Sequence, residues 1–143
     1  MIKTMEEKRV FLKLSEKEHT YTASTSYGEL LVGEKGYRPM ELVLVALAGC
    51  MGVDLSHILS KKRQKVQDIN IKVVGRRRDE HPRVYEDIEL EVEVYGEGIN
   101  PKAVEDAVKL SVEKYCSVNA MLRNSVNIRV RWKVLEKAGS EQK

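Results

Sequence analysis

Two cysteines are the residues of this chain best suited to chemistry. Cys50 sits in the middle of the longest apolar run, "RPMELVLVALAGCMGVDLSHIL" from Arg38 to Leu59, and Cys116 follows sixty-six positions later in "YCSV". That separation matches neither a zinc ribbon nor a C-x-x-C redox motif, so spacing alone does not pair them. A thiol in such a place is either a small apolar filler, since unpaired cysteines are among the most buried residues, or a nucleophile whose thiolate does redox work. On a helix at about 100° per residue, Asp54 and His57 come round to the side of Cys50, one and two turns further on. A histidine there favours a thiolate, whereas the Asp54 carboxylate opposes it unless a cation neutralises the charge. His57, Asp54 and Ser56 do not make a nucleophilic triad, because neighbouring positions on one helix cannot converge on one another. His19, His57 and His81 do not fall into a metal-ligand pattern, and no metal or cofactor is expected. From these residues alone both readings of Cys50 stay open.

The elements that must position the two thiols follow from periodicity. Residues 8–34 alternate in short β-forming stretches separated by "SEKE" and "SYGE", which predicts an N-terminal β-meander. Pro39 fits the first turn of a central helix over 39–62 that ends in the basic "KKRQK", suited to the negative end of the helix dipole. This helix is apolar almost all round between Leu42 and Val53, so it is expected to be buried on more than one side, with a second chain covering part of it. Two alternating strands are expected over 66–96, the second with Glu89, Glu91 and Glu93 outward. A helix over 101–115 starts at "GINP", with Asn100 as N-cap, Pro101 in the first turn, and Ile99 and Val104 as a hydrophobic staple. Val104, Ala107, Val108, Ser111, Val112 and Tyr115 form its expected inner face, and Cys116 follows directly. A final strand over 126–134 shows Arg129, Arg131 and Lys133 outward, where they meet the glutamates if the two strands pair. The order predicts an α+β fold with helices against antiparallel sheet.

With 143 residues, 42% of them apolar, the chain is expected to be a single domain over 1–143. Its net charge of +3 comes from 25 basic and 22 acidic residues that are interleaved. Arg76, Arg77 and Arg78 are answered at once by Asp79 and Glu80, and one Phe and one Trp are too few for a base-stacking platform, so no nucleic acid is expected. The N-terminus lacks an apolar signal region, and the run around Cys50, broken by Asp54 and His57, is shorter than the ~20 residues of a membrane span. A soluble cytoplasmic protein with reduced thiols is the expectation.

"RPMELVLVALAGC", followed by "YCSVNAML", resembles the OsmC/Ohr family, the osmotically inducible and organic-hydroperoxide-resistance proteins. The preceding "GEKG" and the order of elements are similar as well. The stretch "DEHPRVYEDIELEVEVYGEGINPKAVEDAVKLSVEKYCSV" resembles the OsmC-like subgroup in particular. The resemblance implies an intertwined homodimer in which antiparallel sheets pack around a long buried central helix, with two equivalent sites at the interface. It also implies that Cys50 attacks the O–O bond of an organic hydroperoxide and becomes a sulfenic acid. Cys116 then resolves it to a disulfide, and a dithiol reductant, a lipoylated or thioredoxin-like protein, reduces that bond. In the peroxidase members a glutamate directly follows the proline. Here Met40 holds that place and the acid is Glu41, about 100° of helix rotation further on. The family's activating arginine has no matching motif in the N-terminal region, which leaves Arg38 and Arg9 as candidates. These departures favour the alternative of a redox-responsive or small-molecule-binding dimer without efficient peroxidase turnover.

Overall fold

The computed structural model describes residues 5–136, so the single domain expected over 1–143 reaches past them at both ends. Two compact units make up the chain, Met1–Val43 and Leu44–Lys143.

The first unit holds the expected meander: β1 (Phe11–Leu14), β2 (Thr20–Ser24) and β3 (Glu29–Gly33) form an antiparallel sheet in that order. Thr20 is its buried polar anchor. Its hydroxyl donates to the Glu18 carbonyl at 2.9 Å and accepts from the Lys35 N–H at 2.9 Å, so the chain on both sides of the sheet is pinned to one side chain. Phe11, Leu12 and Leu14 of β1 are all exposed.

Helix α1 (Pro39–Lys61) begins in this unit and continues through the second. Leu47, Met51, Leu55 and Leu59, spaced by four, form one fully buried row. Such a row follows from about 3.6 residues per turn. The expectation of burial on several sides is not met within one chain, where Val45 and Val53 stay 64% and 59% exposed. The sequence between Leu42 and Val53 is apolar all round, yet within one chain only the row through Leu47 and Met51 is fully buried. By length and composition alone α1, with a mean hydropathy of 2.0, is long and apolar enough to cross a membrane, which corrects the shorter span expected from the run around Cys50. Its Asp54 is nevertheless held by a hydrogen bond to Ser111 of the same unit.

The second unit continues with β4 (Val66–Arg77) and β5 (Tyr85–Gly96), paired antiparallel. Gly75 lies inside β4 because a Cβ there would come within 2.6 Å of the Tyr85 ring. β5 is the central strand, and its alternation is complete: Ile88, Leu90, Val92 and Val94 are buried, while Glu89, Glu91 and Glu93 face the other side. β6 (Asn127–Leu135) pairs with β5 in parallel, so the sheet is mixed and not the antiparallel one expected. The chain leaves β5 and returns through helices, which brings it back to the end where β5 started. The expected charge pairing across the ladder does occur: Arg129 reaches Glu89 at 2.8 Å and Lys133 reaches Glu93 at 3.4 Å; Arg76 of β4 also reaches Asp87 at 2.8 Å, a pair not anticipated. These pairs are solvated and each contributes ~0–1 kcal/mol.

Helix α2 (Pro101–Leu110) starts as the sequence implies. Asn100 accepts from the Lys102 N–H at 2.9 Å, and Ile99 and Val104 are both buried. The helix then departs from the regular continuation expected to 115. Residues Ser111–Tyr115 widen into a π-helical turn, and a short helix α3 (Ser117–Leu122), not anticipated, follows Cys116. The wide turn adds a residue to the repeat, which rotates Tyr115 off the inner face and leaves it 50% exposed, while Ser111 stays fully buried.

Candidate functional site

The expanded turn determines where the second thiol points. The Cys116 N–H donates to the Ser111 carbonyl five residues back, at 2.8 Å. Extended at φ −79° and ψ 103°, Cys116 is also the N-cap of α3, and its Sγ accepts the Asn119 N–H at 3.4 Å. Two turns of backbone therefore aim one sulfur inward, and the residue is only 1% exposed.

Cys50 comes to this sulfur from α1. It is half-buried, both cysteines are free thiols, and the Cys50 side chain is near enough to act on the Cys116 thiol. One helical turn beyond Cys50, Asp54 Oδ2 accepts the Ser111 hydroxyl at 2.8 Å. Ser111 is thus held at both ends, by its carbonyl to Cys116 and by its hydroxyl to Asp54. Loss of water around Cys116 pushes its thiol up to about 11. The N–H of Asn119 works against that shift, whereas negative charge on Cys50 and on Asp54 adds to it. Burial and like charge together keep the proton on Cys116.

Asn119 is itself 2% exposed, and its Oδ1 has no hydrogen-bond partner among the described residues. Asp54 also borders a cavity of about 430 Å³ that His57, Lys61 and Lys62 line on the polar side and Ile58, Leu110 and Tyr115 on the apolar side. Among the described residues no three His, Cys, Asp or Glu side chains group as a metal-ligand set.

The structure brings together Cys50, Cys116 and Asp54 of the residues singled out in the sequence. It does not recruit the others in the same way. Glu41 lies in the first turn of α1 and Arg38 just before it, and neither side chain makes a hydrogen bond or ion pair among the described residues. Arg9 pairs with Glu7 at 2.8 Å on the surface. Ser111 was legible only as an inner-face residue of α2, and Asn119 not at all. The cap at Cys116 uses the backbone N–H of Asn119, which any residue but proline supplies, so the side chain gave no signal.

The family described as OsmC-like protein matches residues 32–131, a span that contains Cys50, Asp54, Ser111, Cys116 and Asn119. The chain belongs to the OsmC-like family. Among its relatives, protein YhfA of Escherichia coli K12 is 45% identical over 103 residues, 72% of this chain and 77% of YhfA. A hypothetical protein from Aquifex aeolicus VF5 is 51% identical, and its crystal structure matches with a TM-score of 0.90 over 93% of this chain and 99% of its own. The organic hydroperoxide resistance protein OhrB of Bacillus subtilis, 16% identical, matches with a TM-score of 0.60 over 90% of this chain and 98% of its own, a likeness of fold alone. The OsmC-like assignment agrees with the family inferred from the two cysteine motifs.

Proposed function

We propose that this OsmC-like protein is a cytoplasmic thiol peroxidase that reduces organic hydroperoxides. The observation that carries this reading is the meeting of the half-buried Cys50 thiol with the buried Cys116 thiol, brought together from separate helices. Family membership and the fold shared with a hydroperoxide-resistance protein support it.

In this reaction the Cys50 thiolate attacks one oxygen of the O–O bond. That bond breaks, the alkoxide leaves and takes up a proton, and Cys50 becomes a sulfenic acid. Cys116 attacks the sulfenic sulfur, water is lost, and a disulfide forms that an external dithiol returns to two thiols. The proton on Cys116 suits the order of events, because a thiol that is neutral in the resting state does not compete with Cys50 for the peroxide. The apolar face that α1 leaves open, with Val45, Gly49 and Val53, is assigned to a second copy of this chain.

Free-thiol count and intact mass before and after one equivalent of cumene hydroperoxide test the proposal. The expected result is loss of both thiols in the wild type, a trappable sulfenic acid on Cys50 in Cys116→Ser, and no peroxide consumption by Cys50→Ser. Two thiols that survive in the wild type would sink it. A second reading is a redox-responsive or small-molecule-binding dimer that uses the same site without turnover. It is favoured by Arg38 and Glu41, whose side chains make no bond among the described residues. Ligand-dependent stabilisation without hydroperoxide consumption would select it.

A further inference from the structure

Closing a disulfide between Cys50 and Cys116 requires the Cys116 proton to leave. Cys116 is 1% exposed and burial is the main force that holds its proton, so a base beside it in the same step eases closure. Asp54 is the carboxylate whose charge reaches Cys116. It stands one turn from Cys50 on α1, is half-buried, and is tied to Cys116 through Ser111, whose hydroxyl bonds Asp54 and whose carbonyl bonds the Cys116 N–H. The Ser111 hydroxyl occupies Oδ2, and Oδ1 takes no hydrogen bond among the described residues. The cavity lined by His57, Lys61 and Lys62 begins at Asp54, which gives the carboxyl group a route for exchanging its proton with water.

We propose that Asp54 accepts the Cys116 proton as the disulfide closes, held in position by Ser111. The inference rests on the two-thiol reading above. The electron pair of Cys116 Sγ forms the bond to Cys50 Sγ while the S–O bond of the sulfenic acid breaks. Hydroxide leaves with the bonding pair, and the thiol proton passes to Asp54 and then to the hydroxide as water. Cys116 sulfur rises by one oxidation unit and the sulfenic sulfur falls by one, so both end at the disulfide level with no outside oxidant or reductant, and the carboxylate is regenerated. Transfer of the proton also removes the charge repulsion between Asp54 and the forming thiolate.

Closure can be isolated from the peroxide step. One equivalent of methyl methanethiosulfonate converts Cys50 to a methyl disulfide, and attack by Cys116 then expels methanethiol, which intact mass follows in time. Asp54→Asn is expected to form the adduct and to close about 10²-fold more slowly than the wild type, the lower end of general-base effects. Asp54→Glu should recover closure to within about tenfold of the wild type, since it restores a carboxylate. If Asp54 were only a nearby charge, Asp54→Asn would lower the barrier to ionising Cys116 and closure would be as fast or faster, which would overturn the proposal. An Asp54→Glu variant as slow as Asp54→Asn would overturn it too. Should methylthiolated protein close as expected while cumene hydroperoxide leaves both thiols free, the peroxidase reading fails and the role of Asp54 stands.

Discussion

Ser111 Oγ lies 2.8 Å from Asp54 Oδ2, a bond between residues fifty-seven positions apart that ties the start of the π-helical turn to the cysteine-bearing helix. The same serine accepts the Cys116 N–H, so one fully buried residue fixes the separation between the two thiol-bearing segments. A site of this kind is held by backbone geometry and one charged hydrogen bond, and its parts can be removed singly.

Replacing Ser111 by Ala leaves a half-buried carboxylate without its donor and should lower stability by about 1–3 kcal/mol. Urea midpoints of the reduced wild type and variant give the difference. An unchanged midpoint would mean that water serves Asp54 equally well.

The Cys116 thiol makes stability depend on pH. Its folded value of about 11 lies above the ordinary value of 9.0, so both states hold the proton below the ordinary value and the full stability is present there. As pH rises, the unfolded chain loses its proton first and is favoured, and the contribution is lost as pH rises through about 11. Under reducing conditions the urea midpoint of the wild type should fall more steeply in that window than that of Cys116→Ala. Parallel slopes would show that the burial of Cys116 carries no such penalty.

Thiol labelling should be ordered. With the native reduced protein at neutral pH, iodoacetamide should alkylate Cys50 well before Cys116, because Cys116 is 1% exposed and protonated while Cys50 is half-buried. Peptide mapping over time reads the order, and equal rates would contradict the burial of Cys116.

Asn100→Ala removes the cap of α2 and should cost ~1 kcal/mol, read from the denaturation midpoint. The Asn100 N–H also donates to Gln64 Oε1 at 2.8 Å, a bond the substitution keeps, so the loss should come from the side chain alone.

Val53→Glu places a charge on the open face of α1. If that face is covered by a second copy, the variant should elute and scatter as a monomer with its helical signal retained. A variant with the oligomeric state of the wild type would place the contact elsewhere.

Much of the fold was written in local pattern. Alternation along Ile88–Val94 set the central strand, Pro39 and the basic Lys61–Lys65 stretch bounded the long helix, and Asn100–Pro101 marked the start of α2, because each signal is carried by residues within a turn or two of one another. The two cysteine motifs likewise named the family without any coordinates. Pairing direction is not a local property, and the parallel placement of β6 beside β5 depends on where the helical return delivers the chain. The wide turn at Ser111 could not be foreseen either, since "SVEKYC" suits an α-helix equally well, and the choice is made by packing that buries Ser111 and Cys116 while releasing Tyr115. The resemblance already implied that Cys50 and Cys116 work together, and what only the tertiary structure decided is how their segments are tied: Asp54 against Ser111, and the Ser111 carbonyl against the Cys116 N–H. Contacts across sixty positions or so depend on how helices and sheet stack, and no spacing rule within either segment encodes that.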